Sequence, residues 1–203
     1  MIGCILIISG PSGAGKSSLI REILNHIPKA VFSISTTTRK QREGEIHGVN
    51  YFFTDKKSFQ KDIDDGFFLE WANVHDNFYG TSIKQITKFL KEEKLVILDI
   101  DVQGYMIAKD KLGKFATSVF VTTKSRTGLK NRLISRQADT KETIDTRVEN
   151  AEKEMAFIDE YEYLIVNDDF NEARDAILSI AASSAHKRTL TDKDEFISRW
   201  LKN

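Results

Sequence analysis

The chain has 203 residues, of which 40% are hydrophobic, so it is long enough to bury a full core in one compact unit. Its 30 basic and 30 acidic residues give a formal net charge of zero, which removes the overall electrostatic case for binding nucleic acid or a membrane surface. The single cysteine, Cys4, excludes an internal disulfide, the apolar runs are too short to span a membrane, and no basic region precedes the first of them. We therefore expect a cytoplasmic protein.

A glycine-rich loop lies near the start of the chain, between a predicted buried strand at residues 5–8 and a helical pattern that follows Lys16. The loop fits the pattern G-x-x-x-x-G-K-[ST] with Gly10, Pro11, Ser12, Gly13, Ala14, Gly15, Lys16 and Ser17. Glycines let the backbone N–H groups surround an anion, and the helix N-terminus adds positive charge. The pattern therefore predicts a nucleoside triphosphate site, where Lys16 reaches the β- and γ-phosphates and the Ser17 hydroxyl binds Mg²⁺. The alternative is an ordinary glycine-rich turn before a helix.

Residues 35–81 do not follow a strand and helix alternation. They are rich in Phe and Tyr, with short strand-like runs and one short helical pattern around residues 59–63, which predicts a small mixed insertion with its own apolar patch. Arg39 and Arg42 follow a run of hydroxyl side chains, and a phosphate grip or a polar loop explains this pattern equally well. Glu70 lies among apolar residues, and we expect it to have hydrogen-bond donors because an unpartnered buried carboxylate is costly.

Three further apolar runs, at residues 95–100, 119–121 and 163–166, predict buried strands separated by helices. This alternation is typical of a parallel sheet covered on both faces, with ligands at the carboxyl ends of its strands. Asp99 ends one strand, where triphosphate-binding folds commonly place a carboxylate associated with Mg²⁺. Asp101 lies on the same side if that strand continues. The alternative for each is that it caps the next helix.

Residues 124–159 are predicted to be helical throughout and to form a mobile flap over the glycine-rich loop. Arg132 and Arg136 are four residues apart on one predicted helix, where like charges repel, so we expect an anion to join them. Arg147 on the next helix is expected to point to the same place. Guanidinium groups match the spread negative charge of phosphoryl transfer, and a solvated basic face is the alternative. The apolar stripe of this flap contains Ile144, Val148, Ala151, Met155 and Ile158.

Several motifs in order resemble the guanylate kinase family, whose members transfer a phosphoryl group from ATP to GMP. The resemblance covers about residues 3–182 and rests on residues 10–18, 33–39 with 42–45, 51–53, 68–72, 79–81, 97–104 and 166–169. It implies an α/β fold of the P-loop NTPase type, with a parallel sheet flanked by helices, a small mixed α+β GMP-binding insertion and a helical lid. The expected regions are the core (residues 1–34, 82–123 and 160–203), the GMP-binding region (35–81) and the lid (124–159).

The resemblance implies two sets of acceptor-site residues. The GMP phosphate is expected to bind Arg39, Arg42, Tyr51 and Tyr79, and the guanine to bind Ser35, Glu70, Thr81 and Asp101. Guanine presents N1–H and its 2-amino group as adjacent donors, which a carboxylate accepts, whereas adenine leaves that carboxylate unpaired. The expected acceptors are therefore GMP and dGMP.

The donor site implied by the resemblance consists of the glycine-rich loop with Ser18 and a residue near the adenine, Asn167. Mg²⁺ is expected at Ser17 and Asp99, mainly through ATP and water. The expected catalytic residues are Lys16, Arg39, Arg132, Arg136 and Arg147. Gln137 and Ala138 depart from the basic or glycine-containing turn that the family has after the second lid arginine.

Assembly and two rival functions stay open at this point. The chain is expected to act as a monomer or a homodimer, and the apolar residues of its tail, Phe196, Trp200 and Leu201, are expected to pack on the core or on a second subunit. The first rival is a non-catalytic guanylate-kinase-like interaction module. The second is a kinase for another nucleoside monophosphate.

Overall fold

Two sheets organise the protein, which a computed structural model describes for residues 3–74, 76–135 and 140–202. The strands of these residues are β1 (Cys4–Ser9), β2 (Ala30–Phe32), β3 (Thr36–Thr37), β4 (Phe52–Phe53), β5 (Phe68–Val74), β6 (Asn77–Ser82), β7 (Leu95–Asp99), β8 (Ala116–Thr122) and β9 (Tyr163–Val166). The central sheet has the order β2-β7-β1-β8-β9, and all of its pairings are parallel. Its strand carboxyl ends share one edge, where ligands of such sheets bind.

Helices cover both faces of the central sheet. The helices of the described residues are α1 (Lys16–His26), α2 (Lys56–Asp64), α3 (Ile83–Lys91), α4 (Val102–Leu112), α5 (Arg126–Ser135), α6 (Lys141–Met155), α7 (Phe170–Ser184) and α8 (Lys193–Lys202). Because side chains alternate along a strand, Leu6 and Ile8 of β1 pack with α1 and α7, whereas Ile5 and Ile7 pack with α3 and α4. This confirms the predicted α/β class with a parallel sheet flanked by helices.

The insertion at residues 35–81 forms the second sheet, in the order β4-β3-β6-β5, with α2 beside it. Asp55 caps α2 by accepting a hydrogen bond of 2.9 Å from the backbone N–H of Ser58. The fully buried ring of Phe59 stacks on Phe68 and Phe78, with ring centroids 4.4 and 5.4 Å apart. These aromatic contacts give the insertion its own small core, as its composition predicted.

The segment after β8 forms two packed helices, α5 and α6. They share a separate apolar cluster of buried side chains: Leu129, Leu133, Ile144, Val148 and Ala151. Two residues of the predicted stripe lie outside this cluster, because Met155 is 39% exposed at the end of α6 and Ile158 lies in the short 3₁₀ turn that follows it. Arg136, Gln137 and Ala138 lie outside the described residues.

None of the helices in the described part of the chain has both the length and the apolar character that crossing a bilayer demands.

Candidate active site

The glycine-rich loop (residues 10–17) connects β1 to α1 through backbone conformations that require glycine. Gly10 has a φ of 129°, and a Cβ atom placed on it would lie 2.0 Å from the carbonyl oxygen of Val121. Gly15 has a φ of 99°, and its Cβ would lie 2.2 Å from Nδ2 of Asn167. L side chains rarely adopt such φ values, and both contacts are too close for any side chain. The loop is therefore held tightly against β8 and Asn167.

A cavity of about 350 Å³, which we call the loop cavity, lies beside this loop. Its wall contains loop residues, Lys16, Ser17, residues 99–101 and Glu154. The ammonium group of Lys16 donates hydrogen bonds to the carbonyl oxygens of Gly10 and Pro11, at 2.6 and 3.3 Å. The helix N-terminus, the lysine and the hydroxyl of Ser17 thus face one space, which suits a polyphosphate.

A second cavity, of about 370 Å³, lies between the insertion and the central sheet, and we call it the insertion cavity. The predicted acceptor-site residues that line it are Ser35, Tyr51, Glu70, Tyr79 and Asp101. Residues 99–101 belong to the walls of both cavities, so the two cavities adjoin at the carboxyl end of β7. Two ligands bound in them would meet at this shared wall.

Glu70 is the acidic group that the insertion presents to this cavity. The buried hydroxyl of Thr81 donates a hydrogen bond to Oε1 of Glu70. Burial raises the pKa of Glu70 and the negative charge of Asp101 adds to this rise, while the Thr81 hydroxyl and Lys111 oppose it. The expectation that Glu70 has a donor is confirmed, and its carboxylate keeps acceptor capacity toward the cavity.

Asp99 and Asp101 have different local structures. Asp99 ends β7, where burial raises its pKa and the charge of Lys16 opposes the rise. β7 ends at Asp99, so the condition under which strand alternation would place Asp101 on the same side is not met. Asp101 instead caps α4, where its Oδ1 accepts a hydrogen bond of 2.7 Å from the N–H of Gly104. Asp101 therefore caps a helix, as the alternative interpretation predicted, and also lines both cavities.

Arg39 lies beside Tyr51, a residue of the insertion cavity wall, and is held by an acid and by aromatic rings. Its Nη2 donates a hydrogen bond of 2.6 Å to Oε1 of Glu45, and its guanidinium carbon lies 5.4 Å from the ring centroid of Tyr51. The Tyr51 and Tyr79 ring centroids are 6.0 Å apart. Glu45 also accepts a hydrogen bond of 2.8 Å from the backbone N–H of Arg42. The structure thus brings Arg39, Tyr51 and Tyr79 together, whereas Arg42 is exposed and contacts the group only through its backbone N–H.

The lid arginines that the structure describes both contact the glycine-rich loop. Nη1 of Arg147 donates a hydrogen bond of 2.9 Å to the hydroxyl of Ser12. Arg132 donates to the carbonyl oxygens of Asn167 and Ala14, at 2.6 and 3.4 Å. These contacts agree with the expectation that α5 and α6 cover the loop. Arg136, the third arginine predicted for this region, lies outside the described residues.

Asn167 is buried and contacts the loop directly. Its Nδ2 donates a hydrogen bond of 2.8 Å to the carbonyl oxygen of Ala14, and its Oδ1 has no hydrogen-bond partner among the described residues. Asn167 also follows β9 and bonds to Thr122 at the end of β8 through its backbone N–H, at 2.8 Å. These contacts fix Asn167 behind the loop.

Two acidic residues with places in the site were not singled out from the sequence. Glu45 belongs to the family-like motif at residues 42–45, which by itself indicates no role for it. Glu154 lines the loop cavity, burial raises its pKa, and its Oε2 has no partner in the described chain. A signal for Glu154 was available, because it lies seven residues after Arg147 and so on the same face of α6.

Strand, glycine-rich loop and helix lead into one cavity, and a second cavity with carboxylate, arginine and tyrosine side chains adjoins it. These features define an α/β nucleotide-binding protein with sites for two ligands.

Comparisons with known proteins give the family. The family model described as guanylate kinase matches residues 3–183. The chain is similar to the guanylate kinase of Sulfurimonas denitrificans, at 50% identity over 98% of this chain and 96% of that one. It is also similar to the guanylate kinase of Helicobacter hepaticus, at 48% identity over 98% of both chains. The crystal structure of guanylate kinase from Anaplasma phagocytophilum resembles it with a TM-score of 0.70 and 29% identity, over 92% of this chain and 88% of that one. The chain belongs to the guanylate kinase family, as its motifs predicted.

Proposed function

We propose that this protein catalyses the ATP-dependent phosphorylation of GMP to GDP, and of dGMP in the same way. The family and the named relatives support this activity. The main structural support is the wall that the two cavities share at residues 99–101, because it allows a phosphoryl donor in one cavity to meet an acceptor in the other. Holding two reactants in contact is the main contribution that a phosphoryl-transfer site makes.

The loop cavity is the proposed donor site. Lys16 binds the β- and γ-phosphates of ATP, and the backbone N–H groups of the loop surround them, with Ser18 at the start of α1. Asn167 lies behind the loop and contributes to the adenine side of the site. Arg132 and Arg147 neutralise the negative charge that the transferred group spreads over its oxygens, together with Arg136 of the same lid.

The insertion cavity is the proposed acceptor site. Arg39, Arg42, Tyr51 and Tyr79 hold the GMP phosphate, and Arg39 is the one of them assigned a part in catalysis. The carboxylates of Glu70 and Asp101 accept hydrogen bonds from the guanine, while Ser35 and Thr81 complete the polar rim around the base: Thr81 fixes Glu70, and Ser35 lines the same cavity. Adenine lacks the paired donors that these carboxylates need.

The transfer step needs no protein base, because the attacking phosphate oxygen of GMP is already anionic. That oxygen forms a bond to the γ-phosphorus as the bond to the β,γ-bridging oxygen breaks, so GDP and ADP result. The residues act by alignment and by charge neutralisation. A closed lid keeps water away from the γ-phosphate, which suppresses hydrolysis of ATP.

A magnesium ion is the proposed cofactor. The part of the chain that the structure describes holds no group of three or more His, Cys, Asp or Glu side chains suited to a metal ion. The loop cavity does hold the Ser17 hydroxyl, the half-buried Asp99 carboxylate and Oε2 of Glu154, which has no hydrogen-bond partner among the described residues. These oxygens fit Mg²⁺, which binds few protein groups and keeps phosphate and water ligands. Ser17 would bind the ion directly and Asp99 through water, and the bound ion would neutralise phosphate charge.

We propose the regions expected from the sequence as the working units: a core, the GMP-binding region at 35–81 and the lid at 124–159. Because α5 and α6 have their own apolar cluster, they form a unit that is able to move as one body. We propose that the protein acts in the cytoplasm, because ATP and GMP are available there and a lone cysteine stays reduced. No role in binding nucleic acid or membrane is proposed.

The direct test measures ADP formation from MgATP with GMP, dGMP, AMP, CMP, UMP or no acceptor. The proposal predicts turnover with GMP and dGMP alone, and a loss of at least about 100-fold in kcat for Lys16→Ala. Lys88→Ala, which removes an exposed lysine of α3, is the control and should keep wild-type activity. Equal rates with AMP and GMP would remove the guanine-reading role of Glu70, and no turnover with any acceptor would favour the interaction module.

A further inference from the structure

Helix α4 packs against strand β5, which carries the proposed guanine acceptor Glu70. Gly104, in the first turn of α4, is buried beside this carboxylate. A Cβ atom placed on Gly104 would lie 3.1 Å from Oε2 and 3.3 Å from Cδ of Glu70. These distances are tighter than an ordinary van der Waals contact, so a side chain at this position would force Glu70 to shift. The position of the carboxylate therefore depends on the absence of a side chain at Gly104.

The backbone of α4 does not itself call for a glycine at this position. Gly104 has a helical conformation that alanine adopts readily, and a glycine inside a helix costs stability relative to alanine. The close approach of Glu70 supplies the reason for the glycine. Oδ1 of Asp101, the second proposed guanine acceptor, would also lie 3.3 Å from the added Cβ atom. A methyl group here would thus press on both carboxylates.

A β-bulge in β5 determines where Glu70 points. The pairing of β5 with β6 shifts its register between Phe68 and Glu70, because Leu69 is an extra residue there. A bulge re-aims the side chains beside it and leaves the extra residue outside the regular ladder. Leu69 is buried in the apolar cluster that includes residues of α4, whereas Glu70 lines the insertion cavity. The direction of the Glu70 side chain therefore depends on how this bulge is held.

The side chain of Lys111, near the end of α4, holds the bulge. Its Nζ donates hydrogen bonds to the carbonyl oxygens of Leu69 and Phe68, at 2.6 and 3.3 Å. The positive charge of Lys111 also opposes the rise that burial causes in the pKa of Glu70. Because the bonded carbonyl groups come immediately before Glu70, the lysine restricts the backbone from which that side chain extends.

We propose that Gly104 and Lys111 position the Glu70 carboxylate for guanine and so help to determine the specificity for the base. Gly104 leaves the space that the carboxylate needs, and Lys111 fixes the backbone that precedes it. Both act through Glu70 and not through contact with the nucleotide, so they are positioning residues. This inference rests on the proposed guanine-reading role of Glu70.

A displaced carboxylate should affect GMP more than IMP, which lacks the 2-amino group. Glu70 is proposed to accept from both N1–H and the 2-amino group of guanine, and two parallel hydrogen bonds require a fixed position and plane. Hydrogen bonds weaken steeply as their geometry departs from linear. IMP offers N1–H alone, so a shifted carboxylate is able to follow this single donor. We expect the ratio of kcat/KM for GMP to that for IMP to fall about fivefold or more when Glu70 is displaced.

Gly104→Ala tests the close approach to Glu70. Steady-state kinetics should show the fall of about fivefold or more in the GMP to IMP ratio and a raised KM for GMP, with an unchanged KM for ATP. Alanine favours a helix, so the variant should stay folded, which its melting temperature checks. Gly128→Ala makes the same change in α5, where the atom nearest to the added Cβ would be Oγ of Ser125, at 3.3 Å. This control should leave the ratio unchanged.

Lys111→Met tests the hold on the bulge, because methionine keeps much of the side-chain length and loses the donors. The GMP to IMP ratio should fall about fivefold or more, and Lys111→Arg, which keeps N–H donors, should retain most of the ratio. Lys109→Met is the matched control on the same helix. Lys109 donates a hydrogen bond of 2.7 Å to Glu160, which lies outside the walls of the insertion cavity, so this variant should keep the wild-type ratio.

Combining Lys111→Met with Glu70→Gln separates positioning from a general structural role. If Lys111 acts through the carboxylate, its loss in the Glu70→Gln background should change the ratio further by less than about twofold. A fall of equal size in both backgrounds overturns the proposal, as does an unchanged ratio in Gly104→Ala or in Lys111→Met. A wild type that uses GMP and IMP equally well would instead overturn the proposed reading of guanine, and this inference with it.

Discussion

Replacing Glu70 by Gln tests the proposed reading of guanine. The two side chains have nearly the same shape, and the amide oxygen of Gln is able to keep the hydrogen bond that Thr81 donates. The change removes the negative charge. It also replaces one carboxylate oxygen that faces the cavity with an amide NH₂ group, which would then face an N–H donor of guanine. Hydrogen bonds to charged groups contribute about 1.5–3 kcal/mol each, so the loss of one such bond plus the opposed pair amounts to about 3 kcal/mol. This corresponds to roughly a 100-fold fall in kcat/KM for GMP.

Comparing GMP with IMP separates this effect from general damage. IMP keeps N1–H but lacks the 2-amino group, so the amide oxygen of the introduced glutamine in the Glu70→Gln variant is able to accept from N1–H without an opposed donor. We therefore expect the ratio of kcat/KM for GMP to that for IMP to fall at least about tenfold in the variant. Glu93→Gln is the control, because Glu93 is an exposed acid that pairs with Lys29 at 3.2 Å and lies outside the walls of both cavities. An unchanged GMP to IMP ratio would refute the role of Glu70.

Three further changes probe the remaining parts of the site. Arg132→Ala should lower kcat by about 100-fold and change the KM for GMP by less than about threefold, because the groups that Arg132 contacts lie on the proposed donor side. Steady-state kinetics measure both constants, and an effect on KM alone would contradict this prediction. Gly15→Ala should abolish measurable MgATP binding in calorimetry, because its Cβ would lie 2.2 Å from Nδ2 of Asn167; unchanged affinity would show that the loop gives way there. Burial raises the pKa of Glu70, so this carboxylate should become protonated at a pH above the ordinary Glu range. Only the ionised form is proposed to accept hydrogen bonds from guanine, so the KM for GMP should rise as the pH falls through that value. Glu70→Gln should lack this acid limb, and a limb that persists in the variant belongs to another group.

The strands that the sequence predicted are those with long apolar runs. β1 and β7 are buried along almost their whole length, so each reads as a continuous hydrophobic segment. β2 was not predicted, because it has three half-buried residues at the sheet edge and shows no periodicity of its own. β3 and β4 have two residues each and are defined by their pairing with distant partners, which local patterns do not contain.

The sequence indicated which residue types to expect in the candidate site, but it did not indicate most of the contacts between them. Motif spacing identified Arg39 and Glu70, but the ion pair between Arg39 and Glu45 depends on how the loop between them folds. Glu154 has no motif around it and reaches the loop cavity only because α6 packs across the loop. For Asp101 the sequence left a continuing strand and a helix cap open, and the structure has the helix cap.

In the proposed function, the donor and acceptor sides of the site differ in what they recognise. On the donor side, Lys16, Arg132 and Arg147 bond to oxygen atoms of the loop and its neighbours. In the proposed function, each exchanges these oxygens for phosphate oxygens when a nucleotide binds. Such an exchange depends on charge and not on the identity of the base. On the proposed acceptor side, the half-buried Glu70 accepts a hydrogen bond from Thr81, so a base that offers no paired donors would leave its carboxylate unsatisfied. Under the proposed function, specificity for the base therefore arises in the insertion, whereas the glycine-rich loop and the lid supply the charge that the transfer requires.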